Sequence, residues 1–167
     1  MKAISLWQPW ATFVVLGWKT IETRTHSRFK SLAGQRIAIH AARAVDKSGA
    51  WFDFLPTGLG GLEAKYTETL ITMSRSTIVC TATVTVMRWA PNVDFKERKR
   101  WNRQAMCEVG GKFCLFLEDI KPLKESTPLR GRQGIFNVPD ELIKEGYGKS
   151  NTEKEKRVEL SEGNYCA

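Results

Sequence analysis

The sequence is poor in the residues that build metal sites and nucleotide-triphosphate sites. Its two histidines, His26 and His40, are far apart, and none of the four cysteines forms a C-x-x-C pair. These spacings do not match the common zinc-site patterns, so we expect no metal and no cofactor. Neither G-x-x-x-x-G-K-S/T nor G-x-G-x-x-G occurs, which leaves phosphate-loop and dinucleotide chemistry unsupported.

Long apolar runs are also missing. No such run reaches the roughly 18 residues of a membrane-spanning helix, and no secretory signal follows Met1. We therefore expect a cytoplasmic protein with reduced thiols and no membrane partner. A length of 167 residues with 42% hydrophobic content is enough for one domain with its own core.

Acidic residues are the minority among the charged ones. The chain has 26 Lys+Arg against 18 Asp+Glu, a net charge of +8. This excess predicts a polyanionic partner, with RNA or another single-stranded nucleic acid first. The alternative is a basic surface that only keeps the protein soluble.

The candidate phosphate contacts fall in two places. The densest basic stretch lies in a predicted charged helix over residues 95–106, and it contains Lys96, Arg98, Lys99, Arg100 and Arg103 with Trp101 among them. These residues could bind phosphates while the tryptophan stacks on a base, or they could form a solvated helix face. Arg130 and Arg132 lie on a glycine-containing loop and could also contact phosphate.

The pattern of apolar residues predicts more strands than helices. We expect strands over residues 1–5, 20–24, 36–43, 76–89, 111–123 and 134–138. One helix is expected over about 8–16, because Pro9 suits a helix start and Gly17 a helix end. A partly helical region is expected over 46–75 with a turn at 56–61, and a closing helix over 139–147. Without a βαβ rhythm, this favours a small α+β barrel over residues 1–147, followed by a polar tail over 148–167.

The alternation within the strands predicts which side chains share a face. In the strand over 36–43, Ile37, Ile39 and Ala41 face one way and His40 the other. In the strand over 76–89 the apolar face contains Ile78, Cys80, Ala82, Val84 and Val86. The threonines of that strand, Thr77, Thr81, Thr83 and Thr85, lie opposite and could line a polar barrel face or a solvated one.

Three charges follow closely on the apolar opening of the chain. Glu22 and Arg24 share a pleat face of the strand over 20–24, and Lys19 precedes it. As a cleft wall, Glu22 could accept from a base amino group and Arg24 could bind a phosphate. Lys19 could act as a base or nucleophile if its surroundings lower its pKa. The alternative is a structural ion pair.

Four further residues could complete such a cleft. Ser5 lies close in sequence, and Gln8 could read a base edge or only cap the helix. Trp10 could stack on a base or pack in the core, whereas we expect Trp7 to be buried. His40 could be a pocket donor near Lys19 or a structural hydrogen-bonding residue.

The opening "ISLWQPWATFVVLGWKTIETR" resembles the opening of ASCH domains, which belong to the PUA-like superfamily. The family pattern G-x-K-x-x-E-x-R is matched at Gly17, Lys19, Glu22 and Arg24. The segments "IAIHAAR", "GGKFCLFLEDIKPL" and "RGRQGIFNVP" resemble the later strands of bacterial and phage-type members, so the resemblance covers about residues 1–140. It implies a PUA-like mixed β-barrel of five or six strands flanked by helices, with a cleft beside the motif.

The resemblance also implies function tied to RNA or nucleotides. Some relatives are amidohydrolases acting on an acetylated cytidine nucleoside, and others look like ribonucleases. Lys19 matches the catalytic lysine of those amidohydrolases. Their threonine three residues later is Glu22 here, and their later glutamate falls near Thr83, so two of the three catalytic positions differ.

Three functions follow from these observations. The first is a domain that binds RNA or a modified nucleotide through Ser5, Gln8, Trp10, Lys19, Glu22, Arg24 and His40. The second is a small metal-independent hydrolase, acting on an N4-acylated cytidine nucleoside or on RNA, in which Lys19 and Glu22 are the reactive pair. The third is a protein–protein adaptor that uses exposed tryptophans.

Overall fold

The computed structural model describes residues 1–54, 74–90 and 93–144. Within these ranges the strands are β1 (Lys2–Gln8), β2 (Ile21–Arg24), β3 (Gln35–Val45), β4 (Thr77–Trp89), β5 (Phe113–Pro128) and β6 (Ile135–Asn137). Two α-helices, α1 (Trp10–Val15) and α2 (Phe95–Ala105), accompany them. Short 3₁₀ turns cover Ser27–Leu32, Phe52–Phe54 and Asp140–Leu142. No helix in this described part is long and apolar enough to span a membrane.

The six strands form one sheet in the order β2-β5-β4-β3-β1-β6. The pair β1–β3 is parallel, and the other neighbours are antiparallel. The α+β class and the strand number are therefore as predicted. The predicted barrel is not closed, because β2 and β6 remain as two edges of the sheet among the described residues.

The sheet is nevertheless strongly curled. In a flat sheet, four strand spacings would separate β2 from β1 by about 19 Å. Yet Arg24 in β2 donates from Nη2 to the backbone oxygen of Ser5 in β1 at 3.3 Å. The β2 edge must therefore fold back towards β1, which gives the sheet the curvature of an open barrel.

The main core fills the inside of this curl. Ile37, Ile39 and Ala41 of β3 all belong to it, as predicted, and they pack with side chains of α1 and β4. Two residues of β4 depart from the predicted face. Ile78 packs with Ala3 and Phe136 in a separate cluster, and Met87 rather than Val86 packs against the main core, after a register shift between Val84 and Val86. The pairing with β5 shifts register between Ile78 and Cys80, and such a bulge sends neighbouring side chains to opposite faces.

The threonine face of β4 is not a solvated surface along its whole length. Thr77 and Thr81 are buried, and Arg36 donates to the Thr81 hydroxyl at 2.6 Å. Arg36 also pairs with Asp119 at 2.7 Å, while Thr85 is exposed. The polar interpretation of this face is therefore correct at Thr81, and the solvated interpretation only at Thr85.

The two α-helices begin and end close to the predicted residues. Gln8 still belongs to β1, so α1 begins later than predicted, after Pro9. Asp94 caps α2 by accepting from the Glu97 N–H at 2.8 Å. In place of the predicted closing helix over 139–147, the described part shows a 3₁₀ turn at Asp140–Leu142. The predicted turn at 56–61 and tail at 148–167 lie outside the described residues, and the domain boundary at 147 stays a prediction.

Candidate functional site

The glycine of the motif ends α1 in a Schellman arrangement. The N–H of Trp18 donates to the carbonyl of Phe13 at 2.9 Å, and the N–H of Gly17 donates to that of Val14 at 2.9 Å. Gly17 has a φ of 71°, in the left-handed region that glycine adopts without a steric penalty. The first residue of the motif is therefore a glycine because its backbone conformation ends α1. Lys19 follows two residues later.

Lys19 joins β2 to the far end of α2. Its side chain is only 2% exposed, and Nζ donates to the carbonyls of Ile21 at 2.8 Å and Ala105 at 2.7 Å. Nζ also pairs with the Glu22 carboxylate at 3.3 Å. Ala105 is the last residue of α2, where unpaired carbonyls and the helix dipole favour a cation.

Glu22 bridges the two cations of the motif. Its other oxygen lies 3.3 Å from Nη2 of Arg24. The Arg24 guanidinium lies over the Phe29 ring, 4.6 Å from its centroid, and also donates to Ser5. Glu22 and Arg24 thus share a face of β2, as predicted, and the motif forms a chain of charges linking α2, β2 and β1.

This network fixes the Lys19 ammonium in place. Of its three N–H donors, two are hydrogen-bonded to backbone carbonyls, and the Glu22 carboxylate holds the ammonium as an ion pair. Attack or proton abstraction would require a lone pair directed into a pocket. The geometry therefore favours the structural interpretation of the Lys19–Glu22 pair.

A pocket of about 400 Å³ lies beside the motif. We call it the motif pocket, and its lining is Ser5, Leu6, Trp7, Trp10, Lys19, Glu22, Thr23, Arg24, Asp46, Ala50, Cys107 and Lys112. Its volume lies within the usual range for small-ligand sites. The three charged motif residues therefore share one pocket with Trp10.

Two tryptophans line the motif pocket in different ways. Trp10 is half-buried, with Lys19 Nζ 5.2 Å from the centroid of its ring and Phe13 packed edge-on against it. Trp7 is 56% exposed, so the expectation that it is buried was wrong. The signal was available in β1, where Trp7 alternates with the buried residues Leu6 and Gln8.

Gln8 lies outside the pocket, although it was a candidate ligand-binding residue. Its side chain is buried, with Nε2 donating to the carbonyl of Ser74 at 2.9 Å. Its Oε1 accepts from the N–H of Thr12 at 3.2 Å and from the Thr12 hydroxyl at 3.0 Å. Gln8 therefore caps the first turn of α1, which was the alternative interpretation.

A second, larger cleft of about 910 Å³ adjoins the motif pocket. We call it the arginine cleft, and its lining is Ser5, Arg24, His40, Ala42, Arg43, Ser76, Pro128, Leu129, Arg130, Gly131, Arg132, Gln133 and Gly134. Ser5 and Arg24 line both cavities. Arg130 and Arg132 were predicted phosphate contacts, whereas Arg43 was not, because a single arginine near a strand end carries no pattern.

His40 belongs to the arginine cleft rather than to the surroundings of Lys19. Its Nε2 donates to the carbonyl of Leu129 at 2.8 Å, and Nδ1 lies 3.1 Å from the hydroxyl of Ser5. Ser5 in turn donates to the carbonyl of Arg132 at 3.1 Å. Burial lowers the pKa of His40, and the hydrogen bond to Leu129 partly opposes that shift. The predicted role of a donor near Lys19 is therefore replaced by support of the loop over 129–132.

The basic helix α2 presents most of its cations to solvent. Lys96, Lys99, Arg100 and Arg103 are exposed and Arg98 is half-buried. Trp101, however, is fully buried and packs edge-on against Phe116, with ring centroids 4.9 Å apart. The predicted stacking of Trp101 on a base was therefore wrong. Arg100 pairs with Glu97 at 3.4 Å, and phosphate binding by this helix stays a prediction.

Among the described residues there is no group of three or more His, Cys, Asp or Glu side chains that could hold a metal ion. Cys107 lines the motif pocket, with its Sγ 3.6 Å from the Thr23 hydroxyl and 4.0 Å from Lys112 Nζ. Burial raises the pKa of the Cys80 thiol to about 12 and that of Cys114 to about 11. These two buried thiols are therefore poor nucleophiles.

Comparison with solved structures identifies the fold. The crystal structure of ASCH from Zymomonas mobilis matches with a TM-score of 0.51 and 18% identity, covering 95% of this chain and 94% of that one. The chain has the ASCH fold. A serine-to-alanine mutant of the Zymomonas protein matches with a TM-score of 0.52, and a tyrosine-to-phenylalanine mutant with 0.51, each at 18% identity. These matches cover 95% of this chain and 94% and 96% of those proteins.

No protein-family model and no curated protein matches the sequence. The ASCH fold agrees with the resemblance in the motif and in the later strands. At 18% identity the comparison concerns the fold alone.

Proposed function

We propose that this protein binds RNA or a modified nucleotide, with one base held in the motif pocket. The observation that carries the proposal is the exposed indole of Trp7 beside a charged pocket wall. Trp10 forms a second aromatic part of the lining. Bases stack on such side chains with little dependence on sequence, because every base has a π-face.

Glu22 supplies an acceptor at the wall of this pocket. Each of its oxygens makes one ion pair, and a carboxylate offers about four lone-pair sites. The side chain is nearly buried but lines the pocket. An exocyclic amino group of cytosine or adenine would therefore find an oriented acceptor there.

The charge of the protein supports a polyanionic ligand. The net charge is +8, and α2 exposes four of its basic side chains. Phosphate contacts of this kind position a chain of RNA without reading its sequence. In this proposal, the pocket recognises a base and the basic surface raises affinity for the strand.

The hydrolase alternative has less support from the geometry. Lys19 is held by two backbone carbonyls and by an ion pair with Glu22, and Glu22 lies between two cations. To test for hydrolysis, the purified protein is incubated with N4-acetylcytidine and, separately, with RNA, in the absence of added metal. We expect no turnover, and release of acetate or RNA fragments by the purified protein would favour the hydrolase instead.

The test of base binding is a single substitution with a matched control. We expect Trp7→Ala to weaken binding of a fluorescein-labelled single-stranded RNA decamer about 5-fold or more, from the usual contribution of base stacking. The measurement is fluorescence anisotropy. Trp89→Ala is the control, because Trp89 is also partly exposed but lines neither cavity. Equal affinity of the two variants would reject the motif pocket as the base site.

A further inference from the structure

We propose that the arginine cleft is a phosphate subsite, so that the preferred ligand is a phosphorylated nucleotide rather than a nucleoside. The base would occupy the motif pocket and its phosphate the arginine cleft. The base half rests on the proposed function, whereas the phosphate half rests on the charges and geometry of the cleft itself.

The lining of the cleft is positively charged. It includes Arg24, which pairs with Glu22, and Arg43, Arg130 and Arg132; no aspartate or glutamate occurs among its described residues. Arg43, Arg130 and Arg132 are exposed and have no carboxylate partner in the described part of the chain. Free guanidinium groups that converge on one cleft match the bidentate geometry of a phosphate.

The loop that carries two of these arginines is fixed against the sheet. His40 holds the carbonyl of Leu129, and Ser5 holds that of Arg132. The N–H of Leu129 donates to the carbonyl of Ser76 at 2.9 Å. Such a loop loses little conformational freedom when an anion binds, which favours affinity.

Gly131 allows the loop over 129–132 to lie close to the His40 ring. A Cβ atom at this position would lie 2.3 Å from Cε1 and 2.6 Å from Nδ1 of the His40 ring. The imidazole is buried and held through Nε2 by its hydrogen bond to Leu129, so the loop would have to move instead. Glycine at 131 therefore sets the position of the arginines on either side of it.

Arg24 connects the two halves of the proposed site. It lines both cavities, together with Ser5. Its Nη2 is engaged by Glu22 and Ser5, while its Nε is buried without a hydrogen-bond partner. A ligand that extends from one cavity into the other must pass this guanidinium. The volumes of about 400 and 910 Å³ each suit a small ligand.

The phosphate could belong to a free mononucleotide or to an RNA chain, since both present the same oxygens. Isothermal titration at constant ionic strength distinguishes these sources. The probes are inorganic phosphate, cytidine, cytidine 5′-monophosphate, and an RNA tetramer with either a 5′-hydroxyl or a 5′-phosphate. We expect the monophosphate to bind at least about tenfold more tightly than cytidine, given the strength of charge-assisted hydrogen bonds.

Two variants test the charge of the cleft and the position of its loop separately. Replacing Arg43, Arg130 and Arg132 by glutamine should remove most of the advantage of the monophosphate over cytidine. Gly131→Ala should reduce it as well, although it changes no charge. The control replaces Arg28, Lys30 and Lys124 by glutamine, because these exposed residues carry the same total charge and line neither cavity. We expect that control to retain the advantage within about twofold.

The outcomes distinguish this inference from the function on which it rests. Equal binding of cytidine and its monophosphate, or equal losses in the cleft and control variants, would overturn the phosphate subsite. Phosphate binding that depends on the cleft without any binding of cytidine or RNA would support the subsite and reject the proposed function. A preference for the 5′-phosphorylated tetramer over the 5′-hydroxyl tetramer would assign a terminal phosphate. Equal, cleft-dependent binding of both tetramers would assign an internal one.

Discussion

The motif pocket and the arginine cleft share a wall, but they use charge in opposite ways. In the motif, the Glu22 carboxylate pairs with both Lys19 and Arg24, and the contacts of these residues link α2, β2 and β1. In the cleft, Arg43, Arg130 and Arg132 extend into open space without a carboxylate partner among the described residues. The charges of the motif therefore stabilise the fold, whereas those of the cleft remain available to a ligand.

The structural contacts of Lys19 explain why a motif residue need not be catalytic. Lys19 is buried by the same contacts that anchor the end of α2. A buried ion pair is costly to break because removing one partner leaves the other charge uncompensated. An exposed arginine without a partner has no such structural role, and its replacement should change binding alone.

The largest expected effect is on folding. Lys19→Met should lower the free energy of unfolding by about 3 kcal/mol, because the buried carbonyls of Ile21 and Ala105 lose their donor and Glu22 keeps only Arg24 as a partner. Urea denaturation measures this change. The matched control is Arg43→Met, which removes the same charge from the cleft and should change stability by no more than about 0.5 kcal/mol. Equal stabilities of the two variants would contradict the structural role of the motif.

A smaller effect is expected on the salt dependence of RNA binding. Replacing Lys96, Lys99 and Arg103 by glutamine should weaken all single-stranded sequences alike. It should also flatten the slope of log affinity against log salt by about 2, at roughly 0.7 per lost phosphate contact. A salt titration by anisotropy measures the slope, with the Arg28, Lys30 and Lys124 variant as the control. An unchanged slope would mean that α2 is only a solvated helix face.

The smallest expected effect is a pH dependence that belongs to the cleft. Burial lowers the pKa of His40, so the unfolded chain binds this proton more readily than the folded protein does. Stability from this group is complete above about pH 6.5, the ordinary pKa of histidine, and falls as the pH decreases towards the lower folded value. The charged groups that line the same cleft are Arg24, Arg43, Arg130 and Arg132.

His40→Gln tests this assignment, because it keeps hydrogen-bonding capacity but removes the titration. We expect the free energy of unfolding of the native protein to fall between pH 7 and pH 5 by less than about 1.4 kcal/mol per pH unit. The variant should show a shallower decline in urea denaturation over the same range. Parallel pH profiles for the two proteins would assign the decline to other groups.

Local patterns predicted much of the fold. The faces of β3 and the shared face of Glu22 and Arg24 followed from strand alternation alone, and Gly17 from helix termination. Alternation failed at Ile78, where a bulge breaks the period of two. Strand alternation also indicates that Trp7 is exposed, because both of its neighbours in β1 are buried.

The contacts that define the site could not be predicted in the same way. Lys19 meets the carbonyl of a residue 86 positions away, and His40 meets the carbonyl of one 89 positions away. Neither pairing leaves a periodic signal, because each depends on how the sheet curls and where β5 ends. Arg43 joins Arg130 and Arg132 for the same reason, which is why the cleft emerged only from the structure.

The most direct test measures folding and binding on one variant. The protein with Arg43, Arg130 and Arg132 replaced by glutamine should keep its free energy of unfolding within about 0.5 kcal/mol of the native value. Its affinity for cytidine 5′-monophosphate should fall about tenfold or more, since the lost contacts are charge-assisted. Unchanged affinity would contradict the account, as would a loss of stability of several kcal/mol, because the cleft arginines would then serve the fold rather than a ligand.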